Sequence, residues 1–259
     1  MMFERVIVVG DSYAYGHGCL DRIFYVDPDT KKVVGQRTPD NIPSDYCWAS
    51  LLKKDYNNIQ VINLAKCGHS NPSMFRDLIT HSKKDKLPTK GGIIPKTLVI
   101  FAASSTDRIE ASGAKGELHS WVLGHDWDPS WQGKMDPLQE NYWLAKKMYI
   151  THLYDDAIGQ NIALMSILAA QQYCTLRGFE FLCAMPIAFY DKSSINHLFD
   201  YGMKKFLIPD IQSYDFSGNL NDWVNNNMYK CVDNHTNEKG HEMYYHKVIK
   251  PLIEKRINE

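Results

Sequence analysis

Residues 4–18 read ERVIVVGDSYAYGHG. The apolar run from Val6 to Val9 has strand length and ends at Gly10, the pattern of a strand buried on both faces in a parallel sheet. Gly10, Asp11 and Ser12 would then stand at the carboxyl end of that strand, where open parallel sheets bind their ligands. Backbone N–H groups at such a turn favour developing negative charge. Ser12 is therefore a candidate nucleophile, provided a base comes within hydrogen-bond reach. The same residues also suit an Asx-type turn. They match neither GxGxxG nor GxxxxGK[ST], which argues against nucleotide binding.

Working outward, turn clusters fill 19–43, and SDYCWASLLKK (44–54) suits a helix capped by Ser44. NIQVINLA (58–65) reads as a second strand. Asn71 as N-cap and Pro72 at the first helical position predict a helix start. KTLVIFAAS (96–104) reads as a third strand and FEFLCAMPI (179–187) as a fourth. Between them, 141–177 carries helical periodicity, with Gly159 as a candidate break and Gly178 as a C-terminal cap. The end of the chain forms an amphipathic helix with Met243, Val248, Ile249 and Leu252 near helical spacing. Strands alternating with helices predict βαβ units with right-handed connections. The expectation is one α/β domain over 1–259, with insertions at about 111–140 and 188–230.

The chain has 259 residues, of which 44% are hydrophobic and 23% charged, with a net charge of −1. That balance carries no global field to recruit nucleic acid or an acidic membrane surface. No apolar run is long enough to span a bilayer, and the N-terminus lacks the pattern of a signal peptide. Neither nucleic acid nor membrane is expected as a partner, and a cytoplasmic location is. The six cysteines, Cys19, Cys47, Cys67, Cys174, Cys183 and Cys231, are scattered without a CxxC pair. Reduced, mostly buried thiols follow from that spacing. HSWVLGHDWDPSW (119–131) holds His119, His125, Asp126 and Asp128, but at no standard zinc spacing, so no metal is expected. Its Trp121, Trp127 and Trp131 fit either a platform for a sugar ring or packing onto the body of the domain.

CVDNHTNEKGHEMYYHKVIKPL (231–252) places Asp233 and His235 just before the terminal helix. A histidine at the mouth of a parallel sheet can act as general base, and a nearby carboxylate can fix its tautomer. Three blocks together, VVGDSYAYGHG, NLAKCGHSN and DNHTNEKGH, resemble the SGNH hydrolases, also called the GDSL lipase/esterase family. The spread of Trp48 and Asn63 to Asn71 is similar to phage-encoded members, which would put the protein in a host cytoplasm or a virion. The resemblance implies a three-layer α/β/α sandwich with a flavodoxin-like parallel sheet and a serine esterase that needs no metal or organic cofactor. It implies Ser12 as nucleophile, His235 as base and Asp233 as the partner of the base. The oxyanion hole would comprise the backbone N–H groups of Ser12 and Gly68 and a side chain of the third block.

That third block is Gly-x-Asn-Asp in the family and FAASSTDRIE here. One alignment puts Thr106 at the asparagine; another puts Ser104 there. Either hydroxyl can donate one hydrogen bond. In the last block Asp233 precedes His235 by two residues rather than three, and Thr236 replaces a proline. Asp11, Asn71 and Arg108 are expected to touch substrate, Arg108 through an anion or carboxylate. Arg108 also suits an ion pair with Glu110 or Asp107. His17 and His69 fall beside the same edge. The expected substrate is a small-molecule or carbohydrate ester, with a small acyl group on a sugar favoured by the polar, aromatic insertions. The alternative is a catalytically degenerate binding or structural protein on the same fold, including a component of a viral particle.

Overall fold

The computed structural model describes residues 3–19, 21, 25–26, 33–34, 42–85, 94–112, 118–122, 137–184 and 235–258. Four strands, β1 (Arg5–Gly10), β4 (Gln60–Asn63), β5 (Thr97–Ala102) and β8 (Glu180–Ala184), form one sheet in the order β4-β1-β5-β8. Every pairing is parallel, with Arg5 opposite both Gln60 and Thr97. Two short antiparallel pairs stand apart from it. One joins β2 (Tyr25–Val26) to β3 (Val33–Val34), and the other joins β6 (Arg108–Ser112) to β7 (Leu118–Val122).

The sheet separates two cores. Val6 and Val8 of β1 and Leu98 and Ile100 of β5 face one; Ile7 and Val9 and Val99 and Phe101 face the other. The first core is closed by Trp48 and Leu52 of α2 (Trp48–Asp55) and by the C-terminal helices. The second is closed by Met74 and Leu78 of α3 (Asn71–Ser82) and by Ile167 and Ala170 of α5 (Asp156–Arg177). Burial on both faces explains why Val6–Val9 shows no alternation. Each fully buried Ile or Leu contributes about 1.5–3 kcal/mol relative to exposure.

Several element boundaries differ from the sequence reading. The second helix begins at Trp48, because Ser44 is occupied elsewhere: its Oγ donates to Asp21 Oδ1 at 2.5 Å and accepts from Tyr46 N at 3.0 Å. In α3 the N-cap is Ser70, whose Oγ accepts from Ser73 N, while Asn71 turns its amide toward β5. The 111–140 segment is not wholly irregular: it contains β7 and the end of β6, and α4 (Pro137–His152) begins within it. The 188–230 segment lies outside the described residues. The helical break falls at 153–155, where Asp155 caps α5 by accepting from Ala157 N at 2.7 Å.

Gly159 thus lies inside α5, and its role is close approach. A Cβ there would sit 2.5 Å from the Thr106 carbonyl oxygen and 2.7 Å from Tyr154 Oη. Gly178 ends α5 in the left-handed region, with φ of 70°.

The chain closes with α6 (Glu238–Tyr244), a π-helical turn (Tyr245–Ile249) and α7 (Lys250–Asn258). Pro251 has no N–H to give the preceding turn, and the helix widens just ahead of it. The buried set here is Tyr244, Tyr245, Val248, Ile249 and Ile253, so the paired tyrosines belong to the core. Tyr244 meets Trp48 edge-on at 6.1 Å between centroids. Tyr245 Oη and Lys250 Nζ both donate to Asp55 Oδ2, at 3.0 and 2.7 Å. The Lys250 hydrogen bond leads in holding the Asp55 carboxyl below its ordinary value.

No helix among the described residues is long and apolar enough to cross a membrane. Gly159→Ala is predicted to lower stability by about 1–3 kcal/mol, since the obstacle is backbone rather than a movable side chain. Urea unfolding of the variant should show an earlier midpoint.

Candidate active site

In this strand order the connections diverge at β1 and β5, so their carboxyl ends flank the crevice where such sheets bind ligands. Asp11 follows β1, and its side chain is fully buried. Its Oδ1 accepts from Tyr13 N at 2.9 Å and so caps α1 (Ser12–Tyr15). Its Oδ2 accepts from Ser104 Oγ at 2.7 Å and pairs with Arg108 Nη1 at 3.0 Å. Asp11 is thus a hub beneath the site rather than a group open to solvent.

Asn71 is also interior, at 1% exposure. Its Oδ1 accepts from Ser104 N at 2.9 Å and its Nδ2 donates to Ser104 O at 3.0 Å. Both polar groups of that peptide segment are satisfied by one side chain. Asn63 makes a similar bridge on the other side: its Nδ2 donates to Ala14 O, and its Oδ1 accepts from Ala65 N.

Ser12 begins α1 at 3% exposure, and its Oγ has no hydrogen-bond partner among the described residues. His235 is brought to the same edge. Its ring lies 5.3 Å from that of Tyr13 and 4.4 Å from that of His17, centroid to centroid. The first and last sequence blocks therefore meet in space through Tyr13 and His17, although Ser12 and His235 share no hydrogen bond. Asp233 lies outside the described residues, as do Cys231, His125, Asp126, Asp128, Trp127 and Trp131.

Gly68 occupies a turn after β4 with φ of 77°, and no atom of the described residues lies within 4 Å of where a Cβ would stand. Among the third-block candidates, the Ser104 hydroxyl proton is directed to Asp11. Thr106 is buried, and its carbonyl faces Gly159. Ser105 Oγ donates to the Asp107 carboxylate. Arg108 pairs with Asp11 instead of Glu110 or Asp107, and it reaches His69 O at 3.4 Å. Glu110 is held by Arg76, at 2.5 and 2.6 Å, and by Ser73 Oγ at 2.5 Å. Burial alone would raise the Glu110 pKa, but these hydrogen bonds hold it below its ordinary value.

Sequence reasoning placed His17 near the site but missed its partners, His235 and Cys67. Cys67 is exposed rather than buried, with Sγ 3.4 Å from His17 Nδ1. Cys19, Cys47, Cys174 and Cys183 are buried, and desolvation pushes the Cys174 and Cys183 thiols up to about 12. His69 lies 3.4 Å from Asp77 Oδ2; burial lowers its pKa, against the pull of Asp77. His241 is also interior. Desolvation, helped by the neighbouring His235, pushes its imidazole down to about 3, against the pull of Asp21.

No family model matches this chain, and no curated protein does.

Two predictions follow from these contacts. Asn71→Ala removes both hydrogen bonds to the buried Ser104 peptide groups and should cost roughly 2–4 kcal/mol, read from chemical denaturation. His241 binds its proton more weakly when folded than when unfolded. Its neutral form favours folding above pH 6.5, and that contribution is lost as the pH falls toward about 3. His241→Gln should therefore flatten the decline of the urea midpoint over that window.

Proposed function

We propose that the protein is a serine ester hydrolase of the SGNH type on a three-layer sandwich, a reading supported by the apolar cores on both faces of the parallel sheet. The observation that carries this reading is Ser12: a buried hydroxyl at the carboxyl edge of a parallel sheet, without a hydrogen-bond partner among the described residues. Buried polar groups are rarely left unpaired, so this one is kept for something that arrives. His235, beside Tyr13 and His17, is the proposed base. Catalytic hydrogen bonds are often loose without substrate and tighten when it binds.

In the proposed reaction Ser12 Oγ attacks the acyl carbon as His235 takes its proton. The histidine returns that proton to the leaving alcohol, and an acyl-enzyme remains. Water, deprotonated by the same histidine, then releases the acid. The Ser12 and Gly68 N–H groups receive the developing oxyanion; losing one such donor typically costs 10²–10³ in turnover, by order of magnitude. The asparagine position of the family falls to Thr106 or Ser104. Asp233 orients His235. The favoured substrate is a small acyl ester on a carbohydrate.

A second reading, a non-catalytic binding protein on this fold, draws on one observation: the Ser104 hydroxyl is already committed to Asp11. One experiment separates the two. Wild type is expected to hydrolyse p-nitrophenyl acetate and to be inactivated by a serine-directed phosphonate. Ser12→Ala, folded by circular dichroism, should do neither. Equal background rates and an unlabelled Ser12 would favour the binding protein.

A further inference from the structure

We infer that Arg108 is a specificity residue that selects esters bearing a carboxylate in the acyl or alcohol part. This deepens the esterase reading and rests on it. Arg108 is half-buried at the start of β6, and only one of its nitrogens is engaged: Nη1 lies 3.0 Å from Asp11 Oδ2 and 3.4 Å from His69 O. Through those contacts the guanidinium ties the turn that carries Ser12 to the turn that carries Gly68. Among the described residues Nε is buried and donates to nothing, and Nη2 donates to no residue either. The free Nε–Nη2 edge is the fork that takes two coplanar carboxylate oxygens side-on.

An unsatisfied guanidinium N–H away from water is costly. Among the described residues, the buried polar atoms without a hydrogen-bond partner include Ser12 Oγ and Arg108 Nε, and both hang on Asp11, one by the chain and one by the ion pair. The charge count selects the class of anion. Asp11 already offsets the arginine, while Arg76 and Lys66 nearby are paired with Glu110 and Asp77. A singly charged carboxylate can be met by the two N–H groups; a doubly charged phosphate monoester finds no second free cation among these.

The test compares mono-4-nitrophenyl succinate, an anionic ester, with neutral 4-nitrophenyl butyrate, and titrates succinate calorimetrically into wild type and Ser12→Ala. Wild type should favour the anionic ester by about tenfold or more in kcat/KM, and both proteins should bind succinate alike. Arg108→Lys keeps the charge and loses the fork, so the ratio should fall toward one and succinate binding should weaken by about tenfold. A wild-type ratio near one overturns the proposal, with the esterase standing. An equal loss on both esters in Arg108→Lys also overturns it, since that marks a structural latch. If neither ester is hydrolysed, the esterase reading fails and succinate binding decides alone: binding by wild type keeps the carboxylate site, and its absence removes it.

Discussion

A single buried carboxylate organises the crevice. Asp11 divides its two oxygens between local and distant partners, capping its own short helix with one and gathering Ser104 and Arg108 with the other. An isolated charge at this depth would be prohibitive, so the arginine and the hydroxyl are conditions of its presence. Asn71 extends the scheme from the opposite side by clasping the Ser104 peptide. The turns after β1 and β5 and the start of α3 are thereby tied to one another by polar contacts.

The rigidity this confers is polar, and it complements the two apolar cores. At the other end of the sheet a second set of charges performs a parallel task. Arg5 pairs with Asp85 at 2.6 Å and donates to Thr97, while Arg177 donates to the carbonyls of Ser82 and Asp85. Those residues join strand starts to helix ends, and none has an obvious ligand to meet.

What the sequence made legible follows the range of the forces involved. The strand at Val6–Val9 and the cap at Gly178 are set by local pattern and backbone conformation, and both were readable. Ser70 and Asn71 are equally good caps by local chemistry; the Ser104 peptide, distant in sequence, chose between them. Gly159 looked like a break because a glycine in a helix pattern has no local purpose; its purpose is the Thr106 carbonyl. In the site, Asp11 and Ser12 announced themselves by following a strand. The pairing of Arg108 with Asp11 rather than Glu110 needed the knowledge that Arg76 would reach Glu110 first.

The π turn at Tyr245–Ile249 has a further consequence. It admits one residue more than an α-helix would over the same stretch, so α6 and α7 do not share a single angular register. Each residue of an α-helix advances the face by about 100°. The wide turn takes up that offset, allowing His241 to point inward near His235 while Ile253 remains seated in the core against the sheet. The terminal helix is in this sense a shaft with a joint: one end is indexed to the crevice, the other to the hydrophobic interior, and the two settings are independent.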